Sequence, residues 1–247
     1  MKLQIFKLVS MSWLVLCGVW SLSVLADSTI KVSTIKLSPL GFTQDGRDQG
    51  IFYDIANQIV LNAGYTPENK ILPYPRVIQT LMTGSTDVSI LFTNEAVAKS
   101  SDQLMPIFKF ENIIVGLRGS TYERLSDLHG QTIANVRKAV YDEALNEDKL
   151  IKKHPTTGYE QSIKMLLGGR VDAIVGADIT IYYTLEKLGY TAVILGKPFV
   201  LNSKDAYLHF SRQSQHKDAK DKITKSANNL KEQGVIDEII EGYRGKR

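Results

Sequence analysis

The stretch IQTLMTGSTDVSIL, residues 78–91, has a weak counterpart 85 residues later in IKMLLGGRVDAIV, residues 163–175. Both share the spacing Ile-x-x-Leu-x-x-Gly-x-x-Asp, and an apolar run follows the aspartate in both. Each copy predicts a helix, a glycine stop and a buried strand, with Asp87 and Asp172 satisfying local backbone donors. Any α/β unit can produce this pattern. Because the separation is too long for a solenoid repeat, we favour two lobes, each with its own sheet.

Strand-like and helix-like stretches alternate on both sides of these copies, which predicts an α/β fold. Residues 29–34 are typical of a strand, and residues 51–63 have helical apolar spacing that is expected to end at Gly64. Pro75 is expected to open the next helix. Further strands are predicted at 88–92, 113–117, 132–136 and 206–210, and closing helices at 219–230 and 235–243. The expected architecture is two small mixed sheets flanked by helices.

The order of these elements predicts how the chain divides between the lobes. Residues 27–116 and 203–247 are expected to form the first lobe, and residues 117–202 the second. The chain then crosses between the lobes twice. Two crossing strands make a hinge, and a hinge between two lobes makes a cleft in which a ligand can be enclosed.

Residues 1–26 have the pattern of a cleaved secretory signal peptide. A basic head precedes an apolar run over residues 11–25, and the first acidic residue of the chain, Asp27, follows Ala26. A membrane anchor is the alternative, but the run is short for a span. Lipid attachment at Cys17 is disfavoured because the residue before it is not small. We therefore expect export to the periplasm.

Composition argues against several classes of function. Removal of residues 1–26 leaves no cysteine, and therefore no disulfide, thiol nucleophile or thiolate metal site. Two of the 30 Lys and Arg residues lie in that segment, so 28 scattered cations face 26 acids, which does not favour nucleic acid. The four histidines form no H-x-x-x-H or H-E-x-x-H pair, and no phosphate loop or nucleophile elbow occurs. We expect no metal and no cofactor.

Several motifs together carry a resemblance to a known family. They are GIFYDIA at 50–56, YPR at 74–76, TNE at 93–95, LSDLHGQTIA at 125–134, GRVDAIV at 169–175 and LKEQGVID at 230–237. In their order and spacing the chain resembles bacterial solute-binding protein family 3, the periplasmic binding proteins of amino-acid ABC transporters. The resemblance implies a type II periplasmic-binding fold with two α/β lobes, a two-strand hinge and a small molecule bound between them. It also implies a monomer whose partner is a membrane permease or a sensor.

Two positions depart from the amino-acid clamp that the resemblance implies. Members that bind α-amino acids carry an arginine just after the Thr-x-Glu motif, where this chain has Ala96. They also carry a second-lobe aspartate for the ligand amine, where this chain has Ala177 followed by Asp178. Since a charge in a closed cleft needs a partner, the ligand is expected to lack one or both charges of an amino acid.

The first lobe offers six candidates for ligand contact. Arg76 is the leading one, because a guanidinium can hold a carboxylate by two hydrogen bonds and could replace the missing arginine. Thr93 and Asn94 follow a buried strand, at the place where open α/β sheets bind ligands. Aromatic walls are expected from Phe42, Tyr53 and Tyr74. The alternatives are that Arg76 is a solvated surface arginine, that Thr93 and Asn94 only form a turn, and that the aromatic residues pack in the core.

The second lobe offers five candidates. Arg137, Lys138 and Ala139 follow a strand and are expected to open a helix, whose N-terminus and two cations favour an anionic ligand. Solvated basic side chains are the alternative. Asp178 and Tyr182 are further candidates for the cleft.

The sequence thus predicts a non-catalytic protein that closes on a small polar solute, anionic or amino-acid-like, and delivers it to an ABC-type permease. One alternative is a sensory binding protein that docks on a membrane receptor. The other is a periplasmic enzyme similar to cyclohexadienyl dehydratase, in which Asp178 or Glu95 would be the proton donor.

Overall fold

Ten strands and eight α-helices make up the described part of the chain, which in this computed structural model is residues 29–137, 139 and 141–244. The predicted signal peptide lies outside these residues. No helix within these ranges is both long and apolar enough to cross a membrane.

The strands are β1 (Thr29–Ile35), β2 (Phe42–Gln44), β3 (Arg47–Gln49), β4 (Thr66–Leu72), β5 (Val88–Phe92), β6 (Ser101–Gly116), β7 (Thr132–Val136), β8 (Lys152–Thr156), β9 (Ala173–Ala177) and β10 (Phe199–Ser211). The α-helices are α1 (Ile51–Asn62), α2 (Tyr74–Thr83), α3 (Glu95–Ser100), α4 (Glu143–Glu147), α5 (Tyr159–Leu167), α6 (Asp178–Lys187), α7 (Ala219–Glu232) and α8 (Val235–Tyr243).

Two long antiparallel strands, β6 and β10, hold the two halves of the molecule together. The sheet order is β4-β1-β5-β10-β6-β9-β7-β8, with β2 and β3 forming a separate hairpin. In the first half β1 pairs in parallel with β4 and β5, and in the second β7 pairs in parallel with β8 and β9. The two small sheets that the sequence predicts are joined into one hydrogen-bonded order, because β6 and β10 pair with each other through both halves.

Separate apolar cores support the halves, which form two lobes. The first-lobe core packs α1, α7 and α8 on the sheet and includes the fully buried Phe52, Ile55 and Ile223. The second lobe has one apolar cluster against α5 and α6, and another that contains Tyr141 and Leu145. A core in each half allows each lobe to keep its shape while the strands between them bend.

Both copies of the repeated motif form the predicted helix, glycine and strand. The first copy contains α2, Gly84 and β5, and the second contains α5, Gly169 and β9. Gly84 has a left-handed backbone with φ of 73°, and a Cβ there would lie 2.2 Å from the Gln213 carbonyl oxygen. Glycine is required at this position for both reasons.

Candidate ligand-binding cleft

Four parallel strands direct their carboxyl ends at one cavity of about 640 Å³ between the lobes. The residues that line it at or just beyond these ends are Ile35 and Lys36 after β1, Phe92 and Thr93 after β5, Ala139 after β7 and Ala177 in β9. Ligands of open α/β sheets bind at such ends. The volume is within the range of small-molecule sites.

Aromatic side chains from both lobes form much of the cavity wall. On the first-lobe and hinge side, the ring centroids of Phe92 and Phe110 are 4.9 Å apart, and those of Phe108 and Phe110 are 6.4 Å apart. On the second-lobe side, the hydroxyl oxygens of Tyr141 and Tyr159 are 3.3 Å apart. Burial raises the pKa of both phenols, so they stay neutral. The wall therefore suits a flat apolar group.

Tyr159 reaches the cavity because the strand beside it carries a glycine. A Cβ on Gly176 would lie 2.1 Å from the Tyr159 ring, so only glycine leaves room for that ring against β9. The Tyr159 hydroxyl accepts a hydrogen bond from the backbone N–H of Ala177 at 3.4 Å. This bond fixes the ring at the start of α6.

Tyr74 and Asn94, two of the predicted residues, both line the cavity and bond to each other. The Asn94 amide nitrogen donates to the Tyr74 hydroxyl at 2.9 Å, and the Asn94 amide oxygen accepts from the Val97 backbone N–H, also at 2.9 Å. Asn94 thereby caps α3 and positions the Tyr74 phenol at once.

Thr93 also lines the cavity, and two side chains of the first lobe fix the position of its hydroxyl. It donates to the Gln103 side-chain oxygen at 2.8 Å and lies 3.2 Å from Nε2 of His209. His209 is 0% exposed, and burial lowers the pKa of its imidazole from 6.5 to about 4. The His209 imidazole that contacts Thr93 is therefore uncharged near neutral pH.

The other first-lobe candidates lie away from the cavity. Phe42 packs its ring against Tyr183 and Tyr243, at centroid distances of 5.7 and 6.2 Å, and lines a different pocket. Arg76 is exposed on α2 and donates to the Gln79 side-chain oxygen at 2.9 Å, one helical turn further on. Tyr53 is half-buried in α1 and is not part of the cavity wall. The Arg76 side chain therefore lies along its own helix in solvent and does not line the cavity.

The helix predicted to begin at residues 137–139 begins instead at Glu143. Asp142 caps it by accepting a hydrogen bond from the Leu145 backbone N–H at 3.0 Å, and this cap fixes the start of α4. Arg137 is exposed and does not line the cavity, whereas Ala139 does. Lys138 lies outside the described residues. The prediction of a helix N-terminus at residues 137–139 is therefore wrong.

The remaining two candidates, Asp178 and Tyr182, are on α6 but outside the cavity wall. Asp178 is buried, and its carboxylate accepts from the Glu111 backbone N–H of β6 at 3.2 Å. Tyr182 is half-buried against the second-lobe apolar cluster. Because Asp178 points to the hinge strand, it does not supply the cavity with a carboxylate.

Several cavity residues were not predicted from the sequence. They include Lys36, Asn112, Tyr141, Tyr159, Ile179, Thr180 and Lys204 together with Phe92, Phe108 and Phe110. Lys36 directly follows β1, so the rule that selected Thr93 after β5 could also have selected it. Nothing in the local sequence distinguishes Thr180 or Tyr159 from ordinary helix residues.

The family model described as "Bacterial extracellular solute-binding proteins, family 3" matches residues 30–246, nearly all of the described chain. The chain belongs to this family. The curated relative "Probable amino-acid-binding protein YxeM" of Bacillus subtilis (strain 168) is 21% identical over 211 residues, covering 83% of this chain and 79% of its own.

Two solved structures illustrate the shared fold. An ancestral arginine-binding protein bound to arginine superposes with a TM-score of 0.67 at 22% identity, covering 88% of this chain and 99% of its own. A histidine kinase sensor domain with similarity to periplasmic binding proteins gives a TM-score of 0.67 at 20% identity, covering 88% and 96%. The solute-binding protein therefore has the type II periplasmic-binding fold. At these identities the similarity shows the fold and not the ligand.

Proposed function

We propose that this solute-binding protein is exported to the periplasm, closes its lobes on a small solute and delivers that solute to an ABC-type permease. One observation carries the proposal: the cavity between the lobes is lined by Tyr74, Thr93 and Asn94 from one side and by Ala139 and Tyr141 from the other. A solute there contacts both lobes only when they are closed, so its binding favours closure.

The hinge of this motion is assigned to the middle of β6 and β10. Residues 112–116 of β6 pair with β9 of the second lobe, while residues 101–111 pair with β10 alone. We place the crossing points next to residues 110–112 and 202–204, so the first lies before the boundary expected at residue 116 and the second includes the boundary expected at residue 202. In domain closure a few hinge residues absorb the change in backbone angles.

Contacts across the cleft support a closed state as one of the two positions. Ile179 of α6 is 2% exposed and packs into the first-lobe core. The Lys187 ammonium donates to the Gln44 side-chain oxygen at 3.0 Å, and Phe42 meets Tyr183 beside it. Opening the lobes would expose Ile179 and break these contacts. The ligand adds the interactions that decide between open and closed forms.

Binding without catalysis fits the wall of the cavity. None of its lining residues within the described ranges is Asp or Glu, whereas a dehydratase would need a carboxyl group as general acid. The two carboxylates considered for that role are engaged elsewhere, Glu95 with Lys99 at 2.6 Å and Asp178 with the Glu111 backbone. A sensory role uses the same binding step, and the similarity to a kinase sensor domain makes it the second candidate.

Crosslinking across the cleft tests the closing motion. In a Cys17→Ser background, Gln44→Cys with Lys187→Cys places one thiol on each lobe, at two positions whose parent side chains bond to each other with Nζ and Oε1 3.0 Å apart. A short bis-maleimide should join them faster when a bound solute is present. The matched control is Asp102→Cys with Lys220→Cys, a pair 2.6 Å apart within the first lobe, whose rate should not respond to solute.

A second measurement separates transport from sensing. The crosslinked closed protein should stimulate ATP hydrolysis by its permease. The membranes for this assay contain the ABC permease whose gene lies nearest to the gene of this protein. Stimulation of a membrane-bound kinase instead would transfer the assignment to sensing. A crosslinking rate that stays unchanged with every solute in a broad metabolite mixture would contradict closure itself.

A further inference from the structure

We propose that the solute is an organic anion with a flat apolar body and no ammonium group, and that Thr180 at the N-terminus of α6 holds its anionic group. The inference rests on the proposed function and names the chemical class of its ligand. Its starting point is the juxtaposition, in one cavity, of aromatic walls, two lysines and the start of a helix.

The charges at the cavity are of one sign. Lys36 and Lys204 line it, and no acidic residue does within the part of the chain that the structure describes. Two carboxylates next to lining residues in the chain are engaged elsewhere: Asp142 caps α4 and accepts from the Asn202 side chain at 3.2 Å, and Asp178 accepts from the Glu111 backbone. A cationic group enclosed here would lose its hydration without gaining an anion, which is costly.

The N-terminus of α6 adds a second positive element. Ala177, Ile179 and Thr180 all line the cavity, so the first turn of a ten-residue helix faces it. The unpaired N–H groups of a first turn carry the positive end of the helix dipole and favour an anion. At Ala177 there is no side chain that could offer a carboxylate to an amine.

Thr180 gives a second, independent indication of a ligand contact at this helix end. It is 2% exposed, and among the residues that the structure describes its buried hydroxyl oxygen has no hydrogen-bond partner. In the middle of a helix such a hydroxyl would bond the carbonyl four residues back, but that residue is Gly176, which lies in β9 and pairs with β6. A buried hydroxyl without a partner is unfavourable, so a ligand oxygen that accepts its proton would relieve that cost.

The aromatic side chains of the cavity indicate what the uncharged part of the ligand is. Phe92, Phe108 and Phe110 form one side, and the neutral phenols of Tyr141 and Tyr159 form the other. Their polar atoms are few, and the hydroxyls of the two tyrosines are already directed at each other. A planar hydrocarbon group between these walls gains contact on both faces.

Three compounds with the same phenylethyl body isolate the effect of charge. Phenylpropanoate is an anion, L-phenylalanine is a zwitterion and phenethylamine is a cation. We expect titration calorimetry to show phenylpropanoate binding at least tenfold more tightly than L-phenylalanine, with no binding of phenethylamine. Equal or tighter binding of L-phenylalanine, or binding of phenethylamine, overturns the assigned ligand class.

A matched pair of substitutions on one helix tests the role of Thr180. Thr180→Val keeps the shape but removes the unpaired hydroxyl, so phenylpropanoate should bind about tenfold more weakly while the ligand-free Tm stays equal or rises. Thr184→Val removes a hydroxyl that donates to the Thr180 carbonyl at 2.7 Å and does not line the cavity. It should leave the Kd unchanged. If Thr180→Val binds phenylpropanoate as tightly as the parent protein, Thr180 does not hold the anion.

The crosslinking assay distinguishes failure of this inference from failure of the proposed function. If amino acids accelerate the Gln44→Cys, Lys187→Cys crosslink and phenylpropanoate does not, solute binding stands and the ligand class is wrong. If neither phenylpropanoate nor any amino acid or organic acid accelerates it, both the ligand class and the closing motion are rejected.

Discussion

Asp87 and Asp172 make the same pair of hydrogen bonds in the two lobes. The Asp87 carboxylate accepts from the Lys31 backbone N–H at 2.9 Å, and the Asp87 N–H donates to the Lys31 carbonyl at 2.8 Å. Asp172 repeats this arrangement with Thr132, at 2.7 and 2.8 Å. Each aspartate thereby ties the start of one strand to the start of its parallel neighbour, which accounts for its place in the repeated motif.

The surroundings of the two aspartates differ, and this predicts unequal effects of substitution. Asp87 is 1% exposed and also accepts from the Ser214 hydroxyl at 2.6 Å, whereas Asp172 is exposed. Asp87→Ala leaves buried donors unpaired and should lower the free energy of unfolding by about 3 kcal/mol, against about 1 kcal/mol for Asp172→Ala. Urea unfolding followed by circular dichroism measures both. Equal losses would show that burial does not control the strength of this bond.

Lys204, rather than Arg76, is expected to contribute to ligand affinity. Lys204 lines the cavity, while Arg76 is exposed and bonded to Gln79 on its own helix. Lys204→Met should weaken binding of an anionic solute by about 1 kcal/mol, a modest value because the ammonium is solvent-exposed. Arg76→Ala is the control and should leave the Kd within twofold. A large effect of Arg76→Ala would return that arginine to the site.

Burial of His209 predicts that the protein loses stability in mild acid. The pKa of the folded-state imidazole is lowered to about 4 from 6.5, so between these values the unfolded chain binds more protons than the folded one. The free energy of unfolding should therefore fall as the pH decreases from about 6.5 to about 4, by about 3 kcal/mol in total from this group.

Unfolding by urea at a series of pH values, compared between variants, isolates this contribution. His209→Gln removes the titrating ring and should flatten the dependence in this window, whatever its effect on stability at neutral pH. His154→Gln, at an exposed position, should retain the slope of the parent protein. An unchanged slope in His209→Gln would assign the acid sensitivity to other groups.

Ala177→Asp is predicted to reverse the charge preference of the cavity. Ala177 lines the cavity and is the N-cap of α6, where an aspartate also satisfies the first N–H groups of the helix. The new carboxylate should weaken phenylpropanoate binding and permit L-phenylalanine to bind, because the amine then has a counter-ion. Calorimetry with both compounds measures the change. Unaltered affinities would mean that position 177 does not face the charged end of the solute.

Much of the fold could be predicted because it depends on local patterns. The helix with apolar spacing over residues 51–63 is observed at Ile51–Asn62, and the predicted closing helix 235–243 is α8 with the same bounds. The strands predicted at 113–117 and 206–210 are the buried ends of β6 and β10, whose other parts were missed. Those parts mix exposed, partly buried and buried residues without a regular alternation, and their strand character comes from pairing with each other.

The sequence alone determined the fold class, the two-lobed plan and the position of Thr93 just beyond a strand end, because hydrophobic periodicity and chain order are local properties. Only the tertiary structure decided which side chains share the cavity. Arg76 and Asp178 have suitable chemistry but point elsewhere, since helix phase and a backbone partner on β6 set their directions. Thr180, Tyr159 and Lys204 all line the cavity although they are far apart in the chain or unremarkable locally, because the packing of the two lobes places them there.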